Sequence, residues 1–123
     1  RAWAVTGDFN FAPEDRDVLD PAAWWGLVLD SEPDRVELGK LTRLVFRETF
    51  RLFEQPDASF SWWDYRAAAF RRNRGLRIDL VLASDALADA CVASSIDRIP
   101  RGWERPSDHT PVTATFAADR LFV

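Results

Sequence analysis

The chain has 123 residues, 47% of them hydrophobic and 29% charged, with a net charge of −4. That size allows one domain, the apolar share excludes disorder, and no run of about 18 apolar residues is present to span a membrane. The single cysteine, Cys91, excludes an internal disulfide framework and a cysteine-rich zinc site. It reads as a small buried apolar residue in a reducing cytoplasm.

Trp3 to Asn10 predicts a short buried strand ending in a polar turn. Ala12 to Pro21 is acidic and proline-containing, a loop with room for one helical turn. Asp20-Pro21-Ala22-Ala23-Trp24-Trp25 has an N-cap residue followed by proline at the first helical position. The main helix is expected from Pro33 to Leu52, with Leu38, Leu41, Val45 and Leu52 on one stripe. Ser31 and Asp34 are its candidate caps, and Gln55-Pro56-Asp57 stops it.

Phe60 to Tyr65 is aromatic and strand-like, and Arg66 to Gly75 follows as an arginine-rich loop. Arg77 to Ala83 predicts a buried strand with one acid in it. Ser84-Asp85 caps a short helix, Ala86 to Ala90. Val92 to Ile99 is a strand, Arg101 to Ser107 a loop, and Thr110 to Phe116 a last strand alternating apolar residues with threonines. Mixed helices and strands give the class α/β or α+β.

Charge is uneven along the chain. Residues 1–60 carry 7 basic and 12 acidic side chains, residues 61–123 carry 9 and 8. In the second half Arg66, Arg71, Arg72, Arg74 and Arg77 form a basic run with no acid between them. Arginine forks suit phosphate recognition, although a solvated loop has the same composition.

The only histidine, His109, sits in Pro106-Ser107-Asp108-His109-Thr110-Pro111. It is the one imidazole able to move protons near neutral pH. Asp8 ends a strand, Asp79 interrupts an apolar one, and Asp108 precedes the histidine. A buried carboxylate without a partner is costly, so such acids are hydrogen-bonded, paired or metal-bound. A pair of Asp79 with Arg77 or Arg74, and an Asx turn joining Asp8 to Asn10, are the structural alternatives.

Four segments together resemble the exonuclease III family, the AP endonucleases of the endonuclease/exonuclease/phosphatase superfamily. They are Gly7-Asp8-Phe9-Asn10, Ser61-Trp62-Trp63-Asp64-Tyr65-Arg66, Asn73-Arg74-Gly75-Leu76-Arg77-Ile78-Asp79 and the histidine segment. The resemblance implies half of a four-layer α/β sandwich of the deoxyribonuclease-I-like kind, a mixed sheet with flanking helices. Residues 1–123 would be the C-terminal part of one such domain, its N-terminal half lying outside this sequence. The missing methionine and the opening within an apolar run agree with a piece of a longer protein.

The resemblance also implies roles. Asp8 would orient or deprotonate the attacking water, with Asn10 holding that acid and touching the phosphate. His109 would stabilise charge on a phosphate oxygen, and Asp79 would hold His109. Asp108 would contribute to a Mg²⁺ or Mn²⁺ site. Trp62, Leu76 and Ile78 would line an apolar pocket for an abasic sugar, while Trp63 is expected in the core. Arg66, Arg71, Arg72 and Arg74 would contact phosphates of double-stranded DNA bearing abasic or 3′-end lesions, and Arg77 serves equally well as a structural residue. The implied activity is metal-dependent phosphodiester hydrolysis, 5′ of abasic sites or 3′→5′ as an exonuclease. The residues here are expected to show little activity without the other half. A non-catalytic DNA-binding remnant and another phosphoesterase of the superfamily are the alternatives.

Overall fold

The computed structural model describes residues 1–21 and 32–121. Strands β1 (Ala4–Asp8), β2 (Phe46–Glu48) and β5 (Asp79–Ser84) form a sheet in the order β1-β5-β2. Strands β3 (Trp62–Trp63) and β4 (Gly75–Leu76) pair with each other, as do β6 (Cys91–Ile96) and β7 (Val112–Phe116). The helices are α1 (Glu32–Leu44) and α2 (Asp85–Asp89). The class is α/β, and every strand pair among the described residues is antiparallel. None of the described helices is long and apolar enough to cross a membrane.

β5 is central because its sequence is apolar on both faces. Leu80 and Leu82 pack on Phe11 and on Leu38 of α1, while Ala83 packs on Leu87 and Ala88 of α2. β1, by contrast, lies at the sheet edge with all five residues exposed, Val5 among them.

The helix expected over Pro33–Leu52 ends at Leu44. Val45 to Leu52 leaves the helical stripe because β5 has a free edge: Phe46, Arg47 and Glu48 pair with Ser84, Ala83 and Leu82. Val45 is consequently exposed rather than on a buried face. Thr49 continues the attachment, its hydroxyl donating to the Val81 carbonyl at 3.2 Å. Asp34 lies inside the first turn of α1, where its charge complements the helix dipole. The helix expected after Pro21 and the Ser31 cap lie outside the described residues.

Three other boundaries move. The Ser84 hydroxyl makes no cap bond to α2. It ties down the start of β1 instead, accepting from Trp3 N and donating to Arg1 O, each at 2.9 Å. The strand expected over Val92–Ile99 is Cys91–Ile96, since a 3₁₀ turn containing Pro100 occupies Ile99–Gly102. The last strand starts at Val112, after the proline of the histidine segment.

Gly75 permits the β3–β4 contact. A Cβ there would lie 2.6 Å from the Trp63 Nε1 and 2.7 Å from the Trp62 carbonyl oxygen. Trp63 is fully buried, its indole donating to Asn73 Oδ1 at 3.0 Å and standing edge-on to Phe70, which is the core role expected for it.

Candidate active site

The β1–β5 register sets Asp8 directly across from Asp79. Like charges facing each other across two strands are destabilising without a cation or donor between them. His109 supplies it. Its Nδ1 lies 2.8 Å from Asp79 Oδ2, and its Nε2 lies 3.6 Å from Asp8 Oδ2. A neutral imidazole donates from one nitrogen, whereas an imidazolium donates to both acids.

The backbone brings these groups together through Ser61, just before β3. Its hydroxyl is fully buried and accepts from the Ile78 and Asp79 amides at 3.0 and 3.1 Å. Its carbonyl accepts from Thr110 N at 2.9 Å, and Trp62 forms an isolated bridge with His109. One residue therefore fixes both ends of the Asp79–His109 pair. Sequence reasoning passes over Ser61; the available signal is a small hydroxyl at the start of an aromatic strand segment.

Burial, above all, holds the Asp79 carboxyl above the usual aspartate range, and nearby Asp8 pushes the same way. Hydrogen bonds from His109 and Ser61 oppose that rise. Asp8 is the more open acid, with 36% of its side chain exposed against 19% for Asp79. Its Oδ1 accepts from the Asn10 backbone amide at 2.8 Å. Asn10 sits at φ 58°, a left-handed conformation that asparagine tolerates. This is the Asx turn given as the structural alternative for Asp8 and Asn10, and Asn10 itself is exposed.

Asp108 turns away from this trio. Its Oδ2 accepts from the Trp62 indole at 3.0 Å, and its carbonyl accepts from Trp63 N at 3.0 Å. Trp62 rests half-buried on a cluster of Ala12, Val18, Leu76 and Ile78. Leu76 and Ile78 are 0% and 2% exposed: Leu76 pairs with Trp62 across β3–β4, and Ile78 packs in the same cluster beneath the indole. They form the packed floor under Trp62, and Trp62 is the expected pocket residue that stays open.

The basic run divides. Arg66 is held by Asp64 through both carboxylate oxygens, with Nη2 at 2.8 Å from Oδ2. Arg66, mainly by hydrogen bonding, lowers the Asp64 pKa to about 2. Arg71, Arg72 and Arg74 are exposed. Arg77 is 1% exposed and is structural: its Nε and Nη2 reach the two oxygens of buried Asp17 at 2.6 and 3.2 Å, and its Nη1 pairs with Glu48. The structural pair proposed for Asp79 with Arg77 or Arg74 does not form; Asp79 pairs with His109.

Asp8, Asp79 and His109 place three possible ligand atoms within 4.8 Å of one another, the one such group among the described residues. The donors are hard oxygens and an imidazole, and Cys91 is buried in β6, so the chemistry suits a hard divalent cation. Asp79 Oδ2 is already committed to His109, however, and Asp108 offers only the oxygen that Trp62 leaves free.

A model of the endonuclease/exonuclease/phosphatase family matches residues 1–109. Exodeoxyribonuclease III of Haemophilus influenzae is 37% identical over 117 residues, covering 94% of this chain and 37% of that protein. A Neisseria 3′ phosphatase, solved with a product DNA hairpin, superposes with a TM-score of 0.90 at 40% identity, over 94% of this chain and 45% of that one. An AP endonuclease from Archaeoglobus fulgidus gives a TM-score of 0.87 at 35% identity, again covering 94% and 45%. The chain spans less than half the length of each of these relatives.

Proposed function

Because the chain belongs to the endonuclease/exonuclease/phosphatase family, we propose that it carries the water- and phosphate-handling part of a DNA-repair nuclease. The observation that carries this reading is the linear arrangement Asp79–His109–Asp8, with contacts of 2.8 and 3.6 Å. The substrate would be double-stranded DNA, cut 5′ of an abasic site or shortened 3′→5′.

Phosphodiester hydrolysis needs an activated water on one side of phosphorus and positive charge on the oxygens that gather charge. Asp8, half-open and held by the Asn10 amide, suits the first task as an acceptor for a water proton. His109, kept in one orientation by Asp79, suits the second by donating to a phosphate oxygen from Nε2. Asn10 has an exposed amide side chain free to donate to the same phosphate. A bound Mg²⁺ or Mn²⁺ would supply Lewis-acid stabilisation of the charged phosphate oxygens. Asp8 is the trio's most open carboxylate and would share in holding it, the ion keeping most of its waters, while Asp108 would offer only its remaining oxygen from the Trp62 side.

Trp62, on its floor of Leu76 and Ile78, would receive the sugar that lacks a base, and steric exclusion of a full nucleotide would give selectivity. Arg71, Arg72 and Arg74 would grip phosphates, with Arg66 weakened by its pairing to Asp64. The exposed face of β1 would be covered by the further length that the relatives possess, and these residues alone would have little activity. A reducing cytoplasm suits the lone Cys91.

The test gives the full-length protein a duplex with one abasic analogue, with Mg²⁺ and with EDTA. A Mg²⁺-dependent cut 5′ of the lesion or loss of 3′ nucleotides is expected; neither would reject the reading. Asp8→Asn and His109→Asn should each slow the reaction by about 10²-fold or more.

A further inference from the structure

Residues 98–106, the loop that leads to Asp108 and His109, pack beneath the loop that follows Trp62 and Trp63. Arg101 makes most of that contact. Its side chain is buried, and Nη2 donates to the Trp63 carbonyl at 3.1 Å and to the Asp64 carbonyl at 3.4 Å. Its guanidinium also lies 5.2 Å from the Tyr65 ring centre and 5.1 Å from that of Phe70. Arg98 stacks on Phe70 as well, at 5.0 Å. Tyr65 closes the contact in return, its hydroxyl donating to the Pro106 carbonyl at 2.8 Å.

This is an expensive arrangement. A buried guanidinium has lost its water, and Arg101 meets only neutral carbonyls and rings in exchange, with no carboxylate against it among the described residues. Its Nε is buried without a hydrogen-bond partner. Arg77, the other deeply buried arginine, has two acids. A fold gains little stability from Arg101 in these surroundings, whereas its Nη2 alone spans two adjacent carbonyls and fixes their geometry. Those carbonyls belong to the residues between Trp62 and the exposed arginines.

We propose that Arg101 is a positioning residue that fastens the Trp63–Phe70 loop to the loop carrying Asp108 and His109, and so sets how DNA is gripped without touching the reacting phosphate. The inference rests on the nuclease reading. The Asp8–Asp79–His109 trio is held separately, by Ser61 and the β1–β5 register. Arg101 should therefore matter for a long substrate and not for a small one.

The test uses the full-length protein with Mg²⁺ on two substrates, an abasic-analogue duplex and bis(p-nitrophenyl) phosphate. Arg101→Met should raise KM for the duplex about tenfold or more, since misplacement by about an ångström costs up to about 10²-fold. Its kcat/KM on the small diester should stay within about twofold of wild type. Arg101→Lys, which keeps the charge but not the planar guanidinium against the Tyr65 and Phe70 rings, should fall between the two. Tyr65→Phe should raise the duplex KM in the same direction, and Arg101→Met with Tyr65→Phe should show less than the product of the separate effects. If Arg101→Met does not fold, Arg101→Lys and Tyr65→Phe carry the test. Equal losses on both substrates, or an unchanged duplex KM, would overturn the proposal while leaving the nuclease reading intact. A wild-type protein without Mg²⁺-dependent turnover on either substrate would overturn both.

Discussion

Replacing Arg77 by methionine should be among the most destabilising single changes in this chain, although Arg77 sits in a basic run that reads as a DNA contact. Methionine keeps much of the volume and removes the charge. Arg77 is 1% exposed, Asp17 is 0% exposed, and the Glu48 side chain is 11% exposed, so the three groups are dry. Asp17 and Glu48 together with burial decide the state of Arg77: burial opposes its charge, and the two acids more than offset that, raising its pKa. Asp17 would keep Arg51, whose Nη2 reaches Oδ1 at 2.5 Å, but would lose its bidentate partner. Glu48 would lose its cation altogether. Removing one member of a buried ion pair costs about 3–5 kcal/mol, because the surviving charge is left uncompensated. The retained Arg51 argues for the lower end, about 3 kcal/mol, against a total stability of about 5–15 kcal/mol. Urea unfolding of the full-length protein, followed by circular dichroism, measures this as a fall in midpoint at unchanged slope. A loss under about 1 kcal/mol would refute the reasoning. Arg77→Met with Glu48→Gln and Asp17→Asn should recover part of the loss, since the stranded charges are then gone.

Gly75→Ala should destabilise by about 1–3 kcal/mol in the same assay, since neither buried Trp63 nor the Trp62 backbone can move aside; a neutral result would contradict the close approach. Arg71→Ala and Arg74→Ala should each lower the slope of log affinity for duplex DNA against log salt by about 0.9, and Arg66→Ala by less, because Asp64 already neutralises Arg66. Equal slopes for all three, from fluorescence anisotropy at several salt concentrations, would remove that distinction. Asp79 has a folded-state pKa raised by burial, so the fold binds its proton more tightly than the unfolded chain does. That contribution is full below the unfolded pKa of about 4 and is lost as pH rises through the higher folded value. Asp79→Asn should consequently gain stability relative to wild type as pH rises above about 4, while losing activity. A stability difference that does not change with pH over that range would count against the burial effect.

The candidate acids were legible because each breaks a local rule. Asp79 stands in an apolar strand and Asp8 ends one, and a carboxylate in such a place needs a partner. What spacing along the chain does not encode is which partner. Asp79 has Arg77 two residues away and takes His109, 30 residues on, because Arg77 lies in the break between β4 and β5 and turns to buried Asp17, whereas Asp79 opens β5 opposite Asp8. The helix overrun from Leu44 to Leu52 has a similar origin. Leu41, Val45 and Leu52 keep helical spacing, but the free edge of β5 offers Phe46, Arg47 and Glu48 backbone hydrogen bonds, and Glu48 meets Arg77 only from there. Leu76 and Ile78 carry the same lesson, since apolar residues next to a site read equally as pocket wall or as core, and packing with Ala12 and Val18 under Trp62 made them core.

The site needs residues from four stretches of chain, and the loops between them are not what holds them. Asp8 and Asp79 are set by strand pairing, Asp79 and His109 by Ser61, and Asp108 by the Trp62 indole. The first two links run through backbone pairing and the buried Ser61, and the third is a hydrogen bond between two side chains. The acids then face each other at a distance that only a donor between them makes tolerable. His109 relieves that repulsion in the resting protein. A phosphate entering between Asp8 and His109 competes for Nε2, the longer and weaker of the two imidazole contacts at 3.6 Å against 2.8 Å. Binding would thus release Asp8 from the imidazole as the imidazole turns to phosphate, leaving the acid free to take a proton from water. The short Asp79 contact would persist through the exchange and keep the ring aimed. On the proposed reading, that asymmetry between the two contacts, more than the presence of the three residues, would fit the site for hydrolysis.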